Sequence, residues 1–376
     1  MLATGHDIVS FLEELAPDRY ALPGDPTGLQ WGDLSREIGT VLLALDFSDA
    51  VLDEAFQAGA GFVFTHHPYL FSPVSSLDYS RPRERLLARA VKADVTLYSA
   101  HTNLDTAPAG VNQVLGELFG LKDMDLLWEA GSEALEKLVV FVPQGYEDEV
   151  REAISQAGAG WIGNYSHCTY QLLGTGTFLP REGTTPFVGQ EGALEKVTEF
   201  RLETIMPRRI RSRVLTALFN AHPYEEVAYD LYPLENPGDS WGLGRVGRLE
   251  KPVPLEQLVQ EARRVLDPGG ALRFLGDPGQ MVEKVALLGG SGGSYIDRAV
   301  ESGAQVYITG DIKYHEAQRA ADAGLALIDA GHEATERPVL AAVARGLSQW
   351  LQQRNYGTAV RVSEQKYINW NPEGAG

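Results

Sequence analysis

The chain has 376 residues, 44% hydrophobic and 22% charged, with a formal net charge of −19. That length implies two or three compact units, each able to bury a core. The acidic balance works against generic binding to a nucleic-acid backbone, which attracts basic surfaces. Cys168 is the only cysteine, which excludes an internal disulfide and any multi-thiolate zinc or iron-sulfur site.

The first residues, Met1 to Glu13, hold no basic segment followed by an apolar run, and no apolar stretch approaches the ~20 residues that span a bilayer. A soluble, cytoplasmic protein is expected. From Thr40 the chain reads TVLLALD, SDAVLDEAFQAGA, GFVFTHH: a strand, a helix with Val51, Leu52, Ala55 and Phe56 on one face, and a second strand. Continuous apolar runs of this kind suit strands covered on both faces, in a parallel sheet with helical crossovers. A third strand, DVTLYSAH, ends in His101, with Asp105 four residues on.

Between 126 and 236 the texture changes to strand, helix, strand, strand, helix, strand, the order of a split βαβ unit of ferredoxin-like type. We read this as an inserted α+β domain. Its exit, ENPGDSWGLGRVGRL, is rich in Gly and Pro and reads as a return linker. The core is then two related α/β lobes, 1–125 and 237–376, each a three-layer α/β/α arrangement.

The second lobe repeats the first. KVALLGG, SGGSYIDRAVESGA, QVYITGD aligns without a gap on the segment from Thr40, setting Asp53 on Asp297, Ala55 on Ala299, Gly59-Ala60 on Gly303-Ala304 and Thr65 on Thr309. Its third strand, GLALIDAGH, ends in His332, with Glu336 four residues on. Ligand sites in open α/β sheets collect beyond the carboxyl ends of strands, so two related lobes can bring both His-x-x-x-carboxylate segments to one cleft.

THHPYLF puts His66 and His67 at a strand end, where Pro68 removes a ladder donor. Adjacent side chains on a strand point to opposite sides, so neighbouring histidines more readily serve two ions than chelate one. Most histidines are surface or hydrogen-bonded core residues, but four of the eight here (His66, His67, His101 and His332) sit at expected strand ends. Imidazole suits Zn, Fe, Mn, Co or Ni, and carboxylates can bridge two ions. Other features are less specific. GGSGGS at Gly289 to Ser294 is a phosphate-cradling loop or a tight strand-to-helix turn. Asp311 and His315 are supports of the site, or a cap and a surface histidine. His222 and Glu225 fall in the insert, where a turn explains them better than a metal site does. His6 and His167 have no evident partner.

Taken together, GLQWGD near Gly28, THHPYLF, SAHTNLDTAPAGVN at Ser99, TGDIKYHEA at Thr309 and DAGHEATE at Asp329 resemble the NIF-three-like proteins, often called GTP cyclohydrolase 1 type 2 homologues. The resemblance covers both lobes. It implies a dinuclear metal centre held by His66, His67, Asp105, His332 and Glu336, with two divalent ions per chain, zinc foremost and Fe, Mn, Co or Ni as alternatives. It leaves His101 beside the site as a proton-handling, catalytic candidate. It also implies a homohexamer, and AHPYEEVAYDLYPL looks like the PII/CutA-like module of the longer members. One departure stands out. The family's Trp-Asp-Asn before the Gly-Leu pair is replaced by Gly24-Asp25-Pro26-Thr27, in a region that shapes the cleft mouth and bears on substrate.

The function expected is a metal-dependent hydrolase, with hydrolytic opening of the GTP imidazole ring and loss of its C8 as formate if GTP is the substrate. The alternative is a non-catalytic regulatory or metal-handling hexamer whose insert binds a small molecule, a nucleotide or a protein partner. No membrane partner is expected, and nucleic acid is disfavoured.

Overall fold

The computed structural model describes residues 1–268 and 272–368. Two compact units emerge, Met1–Gly131 with Trp241–Gly376, and Ser132–Ser240. The fold is mixed α/β.

In the larger unit the first sheet has five strands in the order Ala359–Val362, Thr40–Ala44, Ala60–Thr65, Thr96–Ser99, Gly28–Trp31. The first four run parallel and the last antiparallel. Strand side chains alternate between faces, which sorts this sheet into two apolar layers. Val41, Leu43 and Phe64 pack with Ile8 and Leu12 of the helix Gly5–Leu15 and with Val343 and Leu347 of the helix Pro338–Gln353. Leu42, Ala44 and Val63 pack on the opposite side with Leu52 and Ala55 of the helix Asp49–Ala58 and with Leu86 and Ala90 of Pro82–Lys92. Leu42 and Leu43, both fully buried, face opposite layers, and each burial stabilises by about 1.5–3 kcal/mol.

The helix Asp49–Ala58 starts where the Ser48 hydroxyl accepts from the Val51 amide and stops at Gly59, whose φ of 62° closes it in the left-handed region. Phe56 does not share the buried stripe of Val51, Leu52 and Ala55. It is 46% exposed, because it lies past the edge of the arc those three define.

The second sheet has six strands, ordered Arg273–Leu275, Ala326–Asp329, Val306–Gly310, Met281–Ser291, Ser240–Pro254, Lys122–Ser132. The second, third and fourth of these are parallel, as the repeat requires. Helix Leu255–Leu266 covers one face, and Ile296–Glu301 with Tyr314–Asp322 the other. The repeat reaches individual hydrogen bonds. Thr65 pairs with Ser99 and Thr309 with Asp329 in the two parallel ladders, and the amides of Ala100 and Ala330 donate to the carbonyls of Thr65 and Thr309.

The lobes exchange material. Lys122–Ser132 from the first stretch joins the second sheet, and Pro338–Gln353 and Ala359–Val362 from the last stretch complete the first. The segment read as a return linker is, from Ser240 onward, part of a strand, Ser240–Pro254. Its glycines answer close approaches: a side chain at Gly242 would strike the Trp128 carbonyl, and Gly244 has a φ of 67° against Leu127. The insert accordingly runs over Ser132–Ser240, not 126–236, because the residues before 132 belong to the second sheet.

The insert has the expected order of elements. Its four strands lie as Tyr229–Leu234, Leu135–Pro143, Glu195–Pro207, Thr169–Phe178, every neighbouring pair antiparallel. By chain order that is the 4-1-3-2 arrangement of a ferredoxin-like unit. Val150, Ile154, Val214 and Leu218 of its two helices pack on Leu138, Val140, Leu202 and Met206.

Candidate metal centre

Four histidines and two carboxylates from both sheets of the larger unit meet beyond the strands' carboxyl ends. His66 and His67 follow Ala60–Thr65, and their amides still donate to the carbonyls of Ala44 and Leu45. His101 precedes the one-turn helix Thr102–Thr106 that carries Asp105, and the one-turn helix His332–Glu336 holds its counterpart pair. One turn brings residues i and i+4 to the same face, which is why the spacing recurs. The ring centroids stand 5.1 Å apart for His66 and His67, 5.4 Å for His66 and His101, and 5.3 Å for His67 and His332.

Glu336 sits among them. Its carboxylate is 3.7 Å from His66 Nε2, 3.0 Å from His67 Nε2 and 3.2 Å from His332 Nε2, while Asp105 Oδ1 is 3.5 Å from His66 Nε2. His66, His67 and Glu336 form a group whose donor atoms all lie within 4.8 Å of one another. Four buried polar atoms here, His66 Nε2, His67 Nε2, Asp105 Oδ1 and Glu336 Oε2, have no hydrogen-bond partner among the described residues. The closest approach, His67 to Glu336, lacks the angles of a hydrogen bond. Buried polar atoms are normally paired because an unmet one costs about 1–3 kcal/mol. Convergent orphaned imidazole nitrogens and carboxylate oxygens are the donor set of a divalent cation, so the residues present fit a metal site.

The opposite edge of every imidazole is held. His66 Nδ1 lies 2.9 Å from the Ala100 carbonyl, which can only accept, so that nitrogen carries the proton and Nε2 of the neutral ring keeps its lone pair. His67, His101 and His332 present Nδ1 to Asp46, Asp25 and Asp311 at 2.8, 2.8 and 2.7 Å. A carboxylate behind a histidine fixes the tautomer and ring orientation, as at the outer shell of metal sites.

Protonation in the metal-free state reflects the crowding. Burial pulls His67 down, but the hydrogen bond to Asp46 and the Glu336 carboxylate overcome it and raise the group to about 10. Glu336, against opposing burial and with help from Asp311, raises His332 to about 9. Burial also opposes charge on His66, yet Asp105 and Glu336 raise it. Burial pushes Asp105 up to about 6 despite His66, with Glu336 adding to the rise. Glu336 is held well below the carboxylate range by His66, His332 and His67, against its own burial. Protons on imidazoles thus supply the positive charge that a cation would.

The glycine-rich segment serves the same site. Gly290 has a φ of 74°, and a side chain there would collide with Glu336 Oε1. Neither a helix nor an anion needs Gly289 and Gly290, which lie in the strand Met281–Ser291 and leave room for the His332–Glu336 turn. Asn112 ties the halves together. Its Nδ2 donates to the Asp105 carbonyl and its Oδ1 accepts from the Gly289 amide. Arg245, buried, donates to the carbonyls of Ala107, Pro108, Gly242 and Gly244, and burial lowers it to about 10.

Of the other sequence candidates, Asp311 supports His332, whereas His315 lies on the surface against Gln318 and the Tyr314 ring. His222 lies in the insert, with Nε2 on the Phe141 carbonyl and Nδ1 accepting from the Tyr224 amide, so its role is to hold a turn. His167, also in the insert, contacts Ser166. Asp25, Asp46 and Asn112 were not singled out in the sequence. The register that sets Thr65 on Thr309 also sets His67 on Asp311 but Asp46 on Gly290, so the repeat carries no signal for Asp46, whose role shows only in its contact with His67. Asp25 stands in the segment that departs from the family pattern, and it is the residue that holds His101.

The chain is similar to known proteins along nearly its whole length. The chain is 42% identical over 362 residues to the GTP cyclohydrolase 1 type 2 homolog of Halalkalibacterium halodurans, covering 96% of this chain and 97% of that one. It is 41% identical to the protein of the same name from Bacillus subtilis, covering 96% of each. The crystal structure of a Bacillus cereus protein related to NIF3 superposes with a TM-score of 0.91 at 40% identity, covering 98% of this chain and 99% of that one. The sequence profile of Duf34/NIF3 (NGG1p interacting factor 3) matches residues 3–367, through both lobes and every residue of the cluster, and the chain belongs to that family.

Proposed function

We propose that the chain is a metal-dependent hydrolase of the GTP cyclohydrolase 1 type 2 kind, holding two divalent cations, zinc foremost, through His66, His67, Asp105, His332 and Glu336. The observation that carries this reading is the set of four buried, unpaired donor atoms facing one another. Donors around one tetrahedral ion at ~2.0–2.2 Å stand roughly 3.4 Å apart, and the separations in the cluster run from 3.0 to 3.7 Å. Two ions are supported by the division of donors: His66 with Asp105 on one side, His67 with His332 on the other, and Glu336 between.

When bound, such ions supply Lewis acidity and a water acidic enough to attack near neutral pH. The chain's own part is proton handling and placement. His101, held at Nδ1 by Asp25, leaves its Nε2, which has no hydrogen bond among the described residues, to accept a proton from an attacking water and return it to a leaving nitrogen or oxygen. Burial of His66, Asp105 and Glu336 keeps bulk water from their donor atoms. If GTP is the substrate, as the relatives' name suggests, two waters add at C8 in turn, the C8–N9 and C8–N7 bonds both break with a proton passing to each nitrogen, and C8 leaves as formate.

Metal analysis after reconstitution tests the reading: about two ions per chain in the wild type, about one lost in Asp105→Ala and both lost in Glu336→Ala. A wild-type chain that retains no ion ends it. One observation favours a second, regulatory reading, in which a homohexamer carries a PII/CutA-like sensor: the insert has its own core and a sheet with helices on one face alone. A metabolite that raises the melting temperature of the metal-loaded protein and is never turned over favours that reading.

A further inference from the structure

The charge around the cluster bears on what it can receive. Asp105 and Glu336 lie in it, and Asp25, Asp46 and Asp311 stand directly behind His101, His67 and His332. Two divalent cations bring four positive charges against these five carboxylates, so the loaded centre is still negative by one. Among the described residues no Lys or Arg nitrogen comes within 4.0 Å of any of the five. Phosphoryl groups are held by Arg or Lys forks or by metal ions whose charge outweighs that of their carboxylates, and here the carboxylates outweigh the ions and no such fork adds to them. The chain as a whole, at −19, adds to the repulsion of a polyanion.

The rim offers a ring a different welcome. Phe71, four residues beyond His67, is 57% exposed, and its ring stands 6.3 Å from that of His101 at 90°. Phe71 also lines an adjoining hollow of about 270 Å³ with Tyr69, Leu70, Val74, Leu77 and Leu87. Ser72, Arg83 and Glu84 line it too, and the Arg83 guanidinium donates to the Tyr69 carbonyl and lies 4.8 Å over the Tyr69 ring. An exposed aromatic face beside a polar centre suits stacking with any flat heterocycle.

We propose that the centre takes an uncharged planar ring, a cyclic amide or the base of a nucleoside, laid against Phe71, and that it does not recognise a polyphosphate. This deepens the metal-hydrolase reading and rests on it. Within that reading, the ring of a guanine nucleotide would be the recognised part and its triphosphate a burden.

Calorimetry on zinc-loaded protein freed of excess ion tests the proposal, using guanosine, uracil, GTP and inorganic triphosphate. Guanosine is expected to bind at least as tightly as GTP, and triphosphate neither to bind nor to compete. Phe71→Ala is expected to weaken guanosine about tenfold with the metal content unchanged. GTP or triphosphate binding tenfold tighter than guanosine, and tighter still at low salt, overturns the proposal, and loss of that binding in Arg83→Gln would locate the error. Failure of both uncharged probes to bind metal-replete protein overturns it equally. Failure of the metal reading itself is seen separately, as absence of zinc in the starting material.

Discussion

At the scale of single residues the imidazoles and carboxylates of the cluster share protons for which the proposed cations would compete. His67 and His332, at about 10 and about 9, lie above the ordinary histidine value of 6.5. Groups raised in this way stabilise the metal-free fold fully below 6.5 and lose that contribution as pH climbs through 9 to 10. Glu336 acts in the opposite sense: its depressed value contributes above the ordinary 4.5, and the contribution is lost as pH falls. In the proposed centre a divalent ion would replace the imidazole protons, so its affinity would rise over the window in which the metal-free fold weakens. Melting temperatures of chelated and metal-loaded protein are therefore expected to diverge steadily from pH ~6.5 to ~10. A chelated protein whose melting temperature is flat or rising across that window would contradict the assignment.

At the scale of elements, two one-turn helices carry the His-x-x-x-carboxylate pairs, and glycine lets the second dock. Gly290→Ala places a Cβ against Glu336 Oε1 at a φ of 74°, a backbone conformation that costs a non-glycine residue roughly 1–2 kcal/mol. The expected outcome is a folded chain with reduced metal content, because Glu336 must swing away from the imidazoles. Metal analysis beside circular dichroism separates this from unfolding, and undiminished metal content would show that Glu336 is not confined by that strand. Much of this level was legible in the chain's letters. The apolar runs at Thr40–Ala44 and Ala60–Thr65 and the repeat that matches Thr65 to Thr309 gave the parallel strands and the two strand-end sites. The segment at Ser240–Pro254 misled, since its glycines mark close backbone approaches within a strand, and composition alone cannot separate that from a linker.

At the scale of the whole molecule, the chain leaves the larger unit after Gly131 and returns at Trp241, on strands that are neighbours in one sheet. Every residue of the cluster lies in that unit. Replacing 132–240 by a short Gly-Ser turn is expected to keep the metal content of the full chain, and a shortened protein that folds but binds no metal would tie the centre to the insert. The chain's letters by themselves determined the local facts: alternating and continuous apolar patterns, caps, the recurring four-residue interval, and the residue types able to ligate a cation. Those depend on neighbours in sequence, and a helix turn or a strand period is written in them. Only the tertiary structure decided which strand completes which sheet, that Ala359–Val362 lies beside Thr40–Ala44, and that Asp25 and Asp46 stand behind His101 and His67. Such contacts join residues tens to hundreds of positions apart, and only the burial of both sheets' faces brings them together.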